Sequence, residues 1–87
     1  MAALGTANEA LYALAVMSGV LRYCPKHEAY YKGEAALEDA MPVYYRHLEE
    51  VRAFFGSPVA FHTALKHARS MHPEQYCRRC TDAVGFN

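Results

Sequence analysis

The chain has 87 residues, 53% of them hydrophobic and 13% aromatic, and nine Lys and Arg are balanced by nine Asp and Glu. That length fits one domain, the apolar content excludes a disordered chain, and zero net charge removes any general polyelectrolyte pull toward nucleic acid or anionic membrane. Three cysteines cannot close a disulfide framework, so a reducing compartment with metal-bound or free thiols is expected.

The first 21 residues carry one charge, Glu9, and raise the question of a signal peptide or a membrane span. No basic start or small-residue cleavage site accompanies them, and Asn8, Glu9, Tyr12 and Ser18 interrupt a stretch near the minimum of about 17 residues for a span. A cytoplasmic location without membrane contact is therefore expected. Thr6 or Asn8 caps a first helix running to Arg22, with Leu11, Leu14, Ser18 and Leu21 on one side and Ala13, Val16, Met17 and Val20 on another. A helix apolar on two faces sits at the centre of a bundle or in an interface, and a homodimer through this helix is one way to cover the second face.

Residues 24–33, punctuated by Pro25 and Gly33, read as a loop, and residues 34–40 as a short helix. Over residues 42–55, Tyr44, Leu48, Val51 and Phe55 recur with helical spacing until Gly56 ends the pattern. Ser57 then caps a helix with Pro58 at its first position, and Phe61, Leu65, Ala68 and His72 form its apolar stripe. Pro73 opens a last helix through residue 83, with Gly85 beyond it. Strand alternation is nearly absent. The expected fold is all-α: a bundle of four to five short helices in a single domain over residues 1–87, clamped by one structural zinc site.

The zinc expectation uses every cysteine in the chain. Cys24-x2-His27 and Cys77-x2-Cys80 each let one backbone turn present two donors to a tetrahedral ion, and three thiolates with one imidazole form an established Zn2+ set. Forty-nine residues separate the two halves, but loop-closure cost grows only logarithmically with length, whereas a structural zinc site contributes on the order of 10 kcal/mol. His72, five residues before Cys77, is a rival fourth ligand. The bland alternative is three cysteines serving as small buried hydrophobes.

Four ligands fill a tetrahedron and leave no open position, so the chain is not expected to be an enzyme. Two enzymatic alternatives stand behind that expectation. Glu28 or Glu74 could serve as a base beside a catalytic metal, and Arg78-Arg79 could activate a redox pair at Cys77 and Cys80, although no strand precedes that pair as in thioredoxin-like sites.

The neutral total conceals a polar arrangement. Residues 1–50 hold four Lys/Arg against seven Asp/Glu, a formal −3, and residues 51–87 hold five against two, a formal +3. His62, Lys66, Arg69, Arg78 and Arg79 form a basic face able to meet phosphates, set against the alternative of an ordinary solvated surface. Residues 51–65 resemble the first two helices of Cro-like phage repressors, but Met71-His72-Pro73 interrupts where those repressors place a recognition helix, so no family is assigned on that segment. Seven tyrosines and no tryptophan skew the aromatic set. Tyr30-Tyr31 and Tyr44-Tyr45 are adjacent pairs that a small core cannot bury whole, which makes them candidate anchors for a partner. The expected function is non-enzymatic protein–protein binding, as an adaptor or inhibitor of a larger assembly; the alternative is a small nucleic-acid-binding regulator.

Overall fold

Thr6 starts the first helix. Its side-chain oxygen accepts the Glu9 N–H at 3.1 Å while the Glu9 carboxylate takes the Thr6 hydroxyl, and helix α1 runs over Ala7–Ser18. The computed structural model describes residues 5–80. Gly19 ends α1 in the left-handed region, φ 83°, where its N–H caps Val16. The helix therefore stops short of Arg22, and Val20 and Leu21, both fully buried, leave the helical register to enter a strand.

An all-α fold is overturned here. Leu21–Cys24 (β1) and Ala29–Lys32 (β2) pair antiparallel with Leu21 opposite Lys32 and Cys24 opposite Ala29, so the expected loop is a β-hairpin. Tyrosines favour this geometry, since Tyr23 faces Tyr30 and Arg22 faces Tyr31 across the ladder. The strands were hidden because both are four residues long and neither alternates cleanly between buried and exposed positions. Residues 25–28 make the turn, and Glu28 closes it at φ 49°, a conformation costing a non-glycine residue about 1 kcal/mol.

Gly33 follows β2 and lies against the end of α1. Its N–H donates to the Val20 carbonyl at 2.9 Å, and a Cβ there would overlap the Gly19 carbonyl oxygen. Past it, residues 34–40 form only a 3-10 turn, Leu37–Asp39, before helix α2, Ala40–Arg46. Pro42 sits in the first turn of α2, where an amide proton has no helical acceptor to lose. The helix expected over 42–55 is broken at His47, φ −109°, into α2 and a short α3, Leu48–Val51. Ser57 and Pro58 open α4, Pro58–Ser70, with the Ala60 N–H donating to the Ser57 hydroxyl oxygen at 3.1 Å.

The core is a single cluster joining Leu11, Leu14, Leu21, Tyr44, Val51, Phe61 and Leu65. Tyr44 and Phe61 stack at 4.7 Å, and Phe55 packs edge-on against both. After α4 the chain is irregular over residues 72–77 and helical again at 78–80, so the last helix starts later than Pro73 implies; its expected end at residue 83 lies outside the described residues. Among the described residues no helix is long and apolar enough to cross a membrane.

Candidate metal centre

The hairpin turn presents the first two donors. Cys24 ends β1 with 9% of its surface exposed, and three residues later the turn brings His27 Nδ1 to 3.6 Å from Cys24 Sγ. The other two arrive from the opposite end of the chain. Along the open edge of β2 the Lys32 N–H donates to the Glu74 carbonyl at 2.6 Å, which holds residues 72–76 beside the hairpin and delivers Cys77 and Cys80 to its turn. His27 Nδ1 then lies 3.5 Å from Cys77 Sγ and 3.2 Å from Cys80 Sγ, while the Cys24 and Cys80 sulfurs are 3.6 Å apart.

These four spacings are close to edges of a coordination tetrahedron. Zinc bonds of about 2.3 Å to sulfur and about 2.0 Å to nitrogen give edges of about 3.8 Å between sulfurs and about 3.5 Å between sulfur and nitrogen. All four donor atoms lie within 4.8 Å of one another, close enough to bind one metal ion.

The electrostatics favour a thiolate in this pocket. Hydrogen bonds from the His27 backbone and ring draw the Cys24 thiol down to about 6 from its usual 9.0. Cys80 moves the other way, up to about 11, because its hydrogen bond with Cys24 and its burial both favour the protonated form. Lys26, Arg78 and Arg79 are exposed and adjoin the ligands in sequence, and a Cys3His site holding a divalent ion carries a formal −1.

His72, the rival ligand, is engaged elsewhere. Its Nε2 lies 2.9 Å from Tyr12 Oη, and its ring meets Tyr12 edge-on at 5.6 Å and Tyr30 at 5.9 Å. Tyr30 also packs on Tyr12 at 4.5 Å and on Tyr23 at 5.0 Å. This aromatic cluster ties α1, the hairpin and the segment after α4 together next to the four donors. The sequence treated these rings separately, because Tyr23 meets Tyr30 only through the hairpin ladder and His72 joins them from the segment that pairs with β2.

The expected partner-binding tyrosines divide. Tyr44 is 1% exposed and belongs to the core, so as an anchor it is corrected; Tyr45, its neighbour, is 55% exposed. Tyr30 and Tyr31 are half-buried, the first inside the aromatic cluster and the second beneath the Arg22 guanidinium at 5.9 Å. On α1, Val16 and Met17 are exposed as the two-faced pattern implies, while Ala10, Leu11, Leu14 and Ala15 face the core. The basic face also divides. Lys66 is exposed and Arg69 half-buried on α4, whereas Arg78 and Arg79 belong to the metal-ligand segment and His62 is half-buried near the start of α4.

Glu28 is exposed, and Glu74 is engaged through its backbone carbonyl. Compared with protein-family models, curated proteins and solved structures, the chain matches none.

Proposed function

We propose that the chain is a non-enzymatic binding protein whose C-terminal segment is fastened to its β-hairpin by one structural zinc ion. The convergence of Cys24, His27, Cys77 and Cys80 within 4.8 Å carries this reading. Three thiolates and an imidazole suit zinc over harder cations, and four protein donors complete its usual coordination, so the metal supplies cohesion and keeps no position for substrate. A protein partner, with the chain as adaptor or inhibitor, would meet the exposed Tyr45 and the apolar Val16 and Met17 on α1, which also suit a second copy of the chain. A nucleic-acid partner is favoured by a different observation, the grouping of α4 cations with cations of the hairpin.

Metal analysis of untagged protein is the test, followed by thermal melting with and without chelator. About one zinc per chain and a large fall in melting temperature on chelation are expected. Metal-free protein that melts at an unchanged temperature overturns the proposal.

A further inference from the structure

Two concave surfaces adjoin along β2 and α4. One, of about 400 Å³, is lined by Arg22, Lys32, Gly33, Glu34, Arg69 and Gln75. The other, of about 320 Å³, shares Lys32 and Arg69 and adds Lys66 and Ser70. Four cations therefore border a continuous basic groove in which Glu34 is the single lining carboxylate. Among the described residues the ion pairs are His47–Glu50 and Arg52–Glu49, both elsewhere. Among the described residues Arg69 is bonded to the Gly33 carbonyl, at 3.5 Å, and Arg22 lies over the Tyr31 ring. Four cations against one carboxylate in a concavity, on a chain of zero net charge, make a local anion site.

The groove continues into an aromatic one. Arg22, opposite Tyr31 in the hairpin ladder, also borders a third concavity of about 600 Å³ that includes Tyr31, Tyr23, Val16 and Pro25. Cations spaced along an open groove suit successive phosphates, and a tyrosine flank beside them suits unstacked bases. A duplex keeps its bases stacked inward and could not use the tyrosines. We propose that Arg22, Lys32, Lys66 and Arg69 bind the phosphodiester backbone of a single-stranded nucleic acid, with Tyr31, which shares a hairpin face with Arg22, offering the stacking surface. Arg22 and Lys32, absent from the basic face read in the sequence, replace Arg78 and Arg79 in it.

This rests on the reading of the chain as a zinc-held binding protein, and zinc content is measured on the same samples. Anisotropy of labelled oligo-dT and oligo-U with the zinc-loaded full chain should show binding with a Kd of about 10 µM at low salt, and a slope of log affinity against log salt of about −3, from four contacts. The double reversal Lys32→Glu with Lys66→Glu should weaken binding at least tenfold with melting temperature unchanged. The matched reversal Arg46→Glu with Arg52→Glu should change it less than twofold. Tyr31→Ala should weaken binding severalfold and leave the salt slope unaltered. Four results overturn the proposal: no binding, equal losses in the two double variants, a duplex bound as tightly as a single strand, or pyrophosphate displacing the strand at equal phosphate concentration. If zinc is absent and the strand still binds, the metal reading fails and the groove stands.

Discussion

The Lys32 N–H donates to the Glu74 carbonyl at 2.6 Å, and this bond brings together two halves of a metal centre that the sequence keeps 49 residues apart. The contacts of His72 with Tyr12 and Tyr30 hold the same segment to the hairpin from its other end. Backbone pairing sets the position of the second ligand pair, and the metal then locks it.

That division of labour makes Gly33 a sensitive position. It lies one residue past Lys32, where a methyl group would overlap the Gly19 carbonyl. Gly33→Ala should cost about 3 kcal/mol and lower the melting temperature by at least about 10 °C, because the displaced backbone is that of the α1–β1 junction. Urea unfolding of the zinc-loaded protein measures it, and an unchanged midpoint would show that the junction yields freely.

Zinc affinity should rise with pH. At neutral pH Cys24, drawn down to about 6, is largely a thiolate, while Cys80, pushed up to about 11, holds its proton until the metal displaces it. Each proton released makes affinity increase about tenfold per pH unit, and below pH 6 the protonation of Cys24 steepens the loss. Calorimetry in buffers of differing ionisation enthalpy counts the protons released, with at least one expected at pH 7. The same titration separates the two histidines: His27→Ala should weaken binding at least tenfold, and His72→Phe less than threefold.

The buried ring at Phe61 and the exposed ring at Tyr45 should respond differently to truncation. Phe61→Ala removes the ring stacked on Tyr44 and should cost about 3–5 kcal/mol, whereas Tyr45→Ala, at an exposed site, should cost less than about 1 kcal/mol. Chemical denaturation of the two variants decides this, and similar losses would contradict the burial of the Tyr44–Phe61 pair.

What the sequence determined by itself is local. The Ser57 cap, Pro58 at a helix start and the paired x2 spacings of the ligands each depend on backbone geometry within one turn and are legible from residue type and separation alone, whereas the first cap was open between Thr6 and Asn8 until the structure placed Thr6 there. The hairpin was not, because four-residue strands acquire their identity from a partner and from the burial of Leu21 and Cys24 at their ends. Nor could spacing choose between His27 and His72, whose roles follow from the Tyr12 hydroxyl that engages one and the sulfurs that surround the other. Tyr44 and Tyr45 are equivalent as neighbours in the chain, and only the packing of α2 on α4 buries the first. Lys66 and Arg69 likewise come beside Arg22 and Lys32 only in the folded chain, where Arg69 meets the Gly33 carbonyl past β2, since long-range backbone pairing and core burial, with no short-range signature, decide which distant side chains become neighbours.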